Sequence, residues 1–203
     1  MSVTEEIEKA RAREAYICYE LYCLVKSALL RGVDYSDSKC KFTEVLPEFP
    51  VEKGRADLIV FASKYTGAPQ PYLVIETKVR AFSRPGPSVA AAIRKAKSYA
   101  ERLNMISDFF ATYDGWLLLI FRDVPPYFIG AYGTLTNEYE VENLLKGLEE
   151  CSYKNKFDLL DSLPKAPDRE FLIKRIFPSI AKEFAQNVQQ QSDLIGSWKQ
   201  LLR

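Results

Sequence analysis

The sequence predicts an α/β protein with one mixed central sheet flanked by helices. Three observations predict it. Short apolar runs rich in β-branched and aromatic residues recur, bounded by Gly and Pro. Segments with apolar residues at helical spacing separate and follow them. The order is helix, three strands, helix, two or three strands, then helices, which gives a layered sheet. At 203 residues and 47% hydrophobic content, the chain has enough apolar material for a sizeable core. Residues 1–150 read as the domain, and 151–203 as a linker and C-terminal helical extension.

Residues 4–31 read as a long helix. Thr4 is placed to cap it, with Glu5 and Glu6 in its first turn, and Gly32 to end it. Its apolar residues are Tyr16, Ile17, Leu21, Leu24, Val25, Ala28 and Leu29, and Glu20 interrupts them at the edge of the buried face. Residues 34–38 are a polar turn. A first strand over 41–48 is closed by Pro47 and Pro50, with Glu44 and Glu48 towards solvent. A hairpin-like turn at 51–54 leads to strand 54–61, and a turn over 64–71 leads to strand 72–79. After a loop at 82–87, Ser88 caps a helix reaching residue 103. Strands follow at 106–112, 116–121 and 127–132, the second apolar enough to be buried on both faces. A helix covers 137–150. Asp168 caps a final helical segment bent at Pro178, with a stripe of Phe171, Leu172, Ile176, Phe177, Ile180, Phe184 and Val188. The pattern leaves open whether this stripe covers the body of the domain or a partner subunit.

Composition removes several classes of chemistry. The chain has no histidine, so no Ser-His-Asp triad, no His general base and no His-ligated metal can form. A metal here is held by oxygen, which favours Mg²⁺ or Mn²⁺ over zinc. The four cysteines, Cys18, Cys23, Cys40 and Cys151, make no C-x-x-C pair and read as free thiols, with a bridge from Cys40 or Cys151 to another cysteine as the alternative. The net charge of +1 leaves nucleic-acid binding to a local patch. No run is long enough to span a bilayer and no leader is recognised, so a cytoplasmic, membrane-free protein is expected.

Three charges stand out in two apolar strands: Asp57 in the first, Glu76 and Lys78 in the second. A buried carboxylate needs a counter-charge or a metal. Glu76 and Lys78 are two apart and share a face. The arrangement suits a divalent cation and a phosphodiester, with Asp57, Glu76 and the carbonyl of Thr77 as oxygen ligands and Lys78 at the attacking water. Downstream, residues 78–102 carry Lys78, Arg80, Arg84, Arg94, Lys95, Lys97 and Arg102 against one acid, Glu101. Such a run provides phosphate contacts, or else an ordinary solvated helix face.

Arg55-Ala-Asp57-Leu followed by Ile75-Glu76-Thr-Lys78 resembles the PD-(D/E)XK nuclease superfamily, and the element order matches its restriction-endonuclease-like αβββαβ core. Ala111-Thr-Tyr-Asp-Gly115-Trp is similar to a turn in the N-terminal nuclease domain of type I restriction subunits. Glu20 resembles the first-helix acid that archaeal Holliday-junction resolvases and others place near the metal. Several relatives carry glutamine where this chain has Lys95, four residues before Tyr99. That departure leaves the fine mechanism and substrate open. The resemblance implies a metal-dependent DNA endonuclease: Asp57 and Glu76 hold Mg²⁺ or Mn²⁺, Glu20 assists through water, and Lys78 orients the nucleophile. Lys95 and Tyr99 flank the site, with Arg80, Arg84, Arg94 and Lys97 as further contacts to DNA. Cutting two strands implies a homodimer. An RNase on the same scaffold, or a nucleic-acid-binding or assembly protein without turnover, remains an alternative.

Overall fold

The computed structural model describes residues 3–33, 40–64, 67–78, 87–122, 127–154, 156–166, 168–185 and 188–201. The expected turn at 34–38 and residues 82–86 of the expected loop lie outside them, as do Arg80, Arg84 and the capping side chains of Thr4 and Ser88, while Pro87 opens a helix. The first helix, α1, is Val3–Arg31, followed by strands β1 (Cys40–Val51), β2 (Gly54–Lys64) and β3 (Gln70–Thr77). Helix α2 (Pro87–Arg102) leads to β4 (Phe109–Tyr113), β5 (Leu118–Arg122), β6 (Tyr127–Tyr132) and helix α3 (Glu138–Lys154). The αβββαβ order is therefore present.

The six strands lie in sequence order in one mixed sheet. Only β3 and β4 pair in parallel; every other neighbouring pair is antiparallel. The difference follows from the connections, since a hairpin reverses the chain while parallel neighbours need a crossover, which α2 supplies.

Alternation along the strands divides the core in two. Leu58, Val60, Leu73 and Ile75 face α1 and α3, packing with Leu21, Val25, Leu144 and Leu148. Ile59, Phe61 and Val74 face α2, packing with Val89, Ile93 and Ala96. Strand β5 is buried on both faces, as its apolar run predicts.

Strand β1 runs through Pro47 and Pro50 to Val51, beyond the end expected at those prolines. It is an edge strand, so a missing proline N–H leaves no ladder position unfilled on its open side. Glu52 and Lys53 form the two-residue turn into β2, with Lys53 at φ 64°. None of the four cysteines is in a disulfide.

The C-terminal segment covers the domain body. After α4 (Asp158–Asp161), the Asp168 side chain caps α5 (Arg169–Phe171) by accepting from the Phe171 N–H. A wide π turn at Leu172–Ile176 then leads into α6 (Phe177–Phe184), and α7 (Val188–Leu201) follows. Pro178 thus sits in the first turn of α6, where its missing N–H is tolerated, and the irregular geometry precedes it. Leu172, Ile176, Phe177 and Ile180 are buried with α2 and the sheet residues Phe110, Leu119 and Phe121. No described helix is long and apolar enough to cross a membrane.

Opposite α2, the Tyr72 hydroxyl donates to Glu149 Oε2 at 2.9 Å, both residues buried. Burial and the neighbouring Glu149 carboxylate hold the phenol well above its usual range. Tyr72→Phe removes a donor from a buried carboxylate and is expected to lower unfolding free energy by about 1–3 kcal/mol. Urea denaturation measures it. A change within about 0.5 kcal/mol, the size of a neutral surface substitution, would show that Glu149 does not depend on this bond.

Candidate active site

The site forms where β2 and β3 leave their ladder. Leu58 pairs with Ile75, so Asp57 and Glu76 fall side by side just past the last pairing. The Asp57 carboxylate is fixed by β3: its Oδ2 accepts from the Thr77 N–H at 2.7 Å and from Thr77 Oγ1 at 2.9 Å. Its other oxygen, Oδ1, lies 3.9 Å from Lys95 Nζ.

Glu76 is wholly buried. Its Oε1 accepts from Lys95 Nζ at 2.6 Å and pairs with Lys78 Nζ at 2.9 Å. Its Oε2 is buried with no hydrogen-bond partner. Lys78 Nζ also donates to Glu14 Oε1 at 2.5 Å, and its backbone N–H donates to Tyr113 O at 2.9 Å. Glu76 and Lys78 therefore share a face, as their spacing predicts.

Glu14, Asp57 and Glu76 each offer an oxygen, and these oxygens lie within 4.8 Å of one another. A cluster of oxygen donors at this spacing could hold a divalent cation of the Mg²⁺ or Mn²⁺ type. The orphaned Glu76 Oε2 fits that use, because buried polar atoms are nearly always satisfied. A cavity of about 300 Å³ adjoins the cluster, lined by Glu14, Ala15, Cys18, Glu48, Asp57 and Thr77.

The charges act strongly on one another. Burial, then the Asp57 carboxylate, pushes the Glu76 carboxyl above its usual range, while Lys95 and Lys78 oppose the rise. Burial works against the Lys78 ammonium, but Glu14 and Glu76 outweigh it and hold the group above the usual lysine range. Lys95 is raised in the same way, with Glu76 and Asp57 overcoming burial. Burial, then Asp57, lifts the Cys18 thiol to about 11, so this cavity-lining cysteine is a thiol at neutral pH.

The acid that α1 contributes is Glu14; Glu20 is exposed and hydrogen-bonds Tyr16. Six helical residues separate the two by about 9 Å along the axis and about 240° around it, so one helix cannot present both to the same point. Among the described side chains of α1, Cys18, Leu21, Val25 and Ala28 are buried, whereas Tyr16 is 60% exposed. Counting back one turn from Cys18 reaches Glu14. A stripe built on Cys18 rather than Tyr16 would have marked it.

The basic run disperses. Lys95 joins the cluster, and Tyr99 lies beneath it, with its ring centre 5.5 Å from Lys95 Nζ. A Cβ on Gly54 would fall 2.6 Å from the Tyr99 hydroxyl, so this turn glycine leaves room for the ring. Arg94 pairs with Glu183 at 2.6 Å, and Lys97 with Glu101 at 3.6 Å. In the 111–116 turn, Asp114 Oδ1 accepts from the N–H groups of Trp116 and Leu117 at 3.0 and 2.9 Å, and Gly115 adopts φ +84°.

No protein-family model matches the chain, and no curated protein matches it. Among solved structures, the type IIG restriction endonuclease BpuSI is similar at a TM-score of 0.38 and 12% identity. The similarity covers 93% of this chain but 29% of that enzyme, so the chain spans less than a third of its length. The functional reading therefore rests on the side chains of the site.

Proposed function

We propose that this chain is a metal-dependent nuclease that hydrolyses DNA phosphodiester bonds. One observation carries the reading: three carboxylates from three elements gather within 4.8 Å, one of them the buried Glu76 with an unpartnered oxygen, and the Lys78 ammonium contacts two of the three. Asp57 and Glu76 would hold the cation, with the Thr77 carbonyl as a further ligand and Glu14 in the place expected of Glu20. When bound, the cation supplies charge neutralisation at the phosphate and a more acidic water. Thr77 orients Asp57 through two hydrogen bonds. Lys78, anchored by Glu14 and Glu76, holds its proton at Nζ and directs that charge towards the attacking water and phosphate. Arg94, Lys97 and Arg80 and Arg84 are proposed to contact DNA, and two copies would cut two strands.

A second reading, nucleic-acid binding without turnover, is favoured by the two lysines that already neutralise the carboxylates. Incubating the chain with duplex, single-stranded and four-way-junction DNA and with RNA, each with Mg²⁺, Mn²⁺ or EDTA, separates the readings. Metal-dependent cleavage of DNA is expected. Cleavage of RNA alone would assign an RNase, and binding without cleavage on every substrate would leave a binding protein. Lys78→Gln is expected to slow cleavage about a hundredfold, the lower range for removing one preorganised charge-stabilising donor, without weakening Mn²⁺ binding by calorimetry. Loss of Mn²⁺ binding would move Lys78 from the chemistry to the assembly of the site.

A further inference from the structure

We infer that Lys95 is a tethered stand-in for the divalent cation, and that metal and Lys95 exclude each other at the carboxylates. The inference rests on the metal site proposed above and concerns how that site is filled.

Asp57 Oδ2 is committed to the Thr77 N–H and hydroxyl, which leaves Oδ1. Glu76 is fully buried, and Oε1 is the oxygen its cationic neighbours touch. Lys95 Nζ lies 2.6 Å from Glu76 Oε1 and 3.9 Å from Asp57 Oδ1. The Lys95 ammonium therefore already sits against both of the carboxylates that would hold a cation. Lys78 is placed differently, joining Glu76 to Glu14 rather than to Asp57.

Charge gives the reason for a stand-in. Three carboxylates gathered within 4.8 Å repel one another, and one of them is wholly buried. Two ammonium groups offset most of that repulsion when no metal is bound. A divalent cation brings the same charge as both lysines, so keeping Lys95 in place beside it would add a like-charge contact within hydrogen-bond range. The Lys95 side chain is 38% exposed and reaches the cluster from α2 along the Tyr99 ring, so it has a path to solvent.

Titration of Mn²⁺ into the 203-residue chain by calorimetry tests this, comparing wild type, Lys95→Gln and Lys95→Arg. Lys95→Gln is expected to bind Mn²⁺ about tenfold or more tightly, because the metal no longer breaks a hydrogen bond between charged groups. Lys95→Arg, which keeps the charge, is expected to stay near wild type. Equal or weaker binding by Lys95→Gln, with wild type still binding, would overturn the inference and leave the metal site standing. No Mn²⁺ binding by either protein would overturn both. Should Lys95→Gln fail to fold, amine labelling of the wild type read by mass spectrometry decides the matter. Labelling at Lys95 rises on adding Mn²⁺ if the metal expels it, and an unchanged level would overturn the inference.

Discussion

Asp57→Ala is expected to eliminate metal-dependent cleavage, with a rate loss of at least about a thousandfold. A bound cation acting as a Lewis acid contributes several kcal/mol to such a reaction, and in the proposed site Asp57 is one of the carboxylates that would hold it. The substitution also strips the Thr77 N–H of its acceptor, at a cost of about 1–3 kcal/mol. Asp57→Asn separates the two effects, since an amide oxygen still accepts from Thr77 while the ligand charge is lost. Both variants are expected to be inactive, with Asp57→Asn close to wild type in thermal midpoint. EDTA is expected to abolish cleavage by wild type, and added Mg²⁺ to restore it. Cleavage that survives either substitution would remove Asp57 from the site.

Trp198→Ala is expected to cost about 3–5 kcal/mol of stability, the range for deleting a large buried aromatic. Trp198 is 2% exposed on α7, with ring centres 5.1 Å from Phe128 and 5.2 Å from Phe177, both edge-on. Phe128 lies on β6 and Phe177 opens α6, so the indole joins the last helix to the sheet and to its neighbouring helix. The midpoint of urea denaturation is expected to fall in one cooperative transition. A loss below about 1 kcal/mol, or a separate early transition for α7, would show that the last helix is not part of the cooperative core. The same cluster reaches the site from behind: Phe184 stacks on Phe121, which stacks on Phe110 in β4. Strand β4 in turn sets the register of β3 and of the Lys78 backbone.

The amino-acid order by itself determined the strands and their pairing of charge. Alternation placed Glu76 and Lys78 on one face, and the apolar setting of Asp57 required a partner. The absence of histidine confined any metal to oxygen. These are local consequences of a two-residue period and of the cost of burying charge, so they can be read without knowing what lies across the core. The tertiary structure decided what depends on the phase of one element against another. It set Glu14 rather than Glu20 beside Asp57 and Glu76, because α1 turns Cys18, Leu21, Val25 and Ala28 inward and leaves Tyr16 in solvent. It carried β1 through two prolines, because that strand is an edge. It laid the C-terminal stripe on the sheet rather than leaving it for a partner subunit. It also brought Lys95 from α2 onto Glu76, across 19 residues of sequence. A helix of period 3.6 can present any of several faces, and only packing against the sheet selects which charged side chain meets the carboxylates.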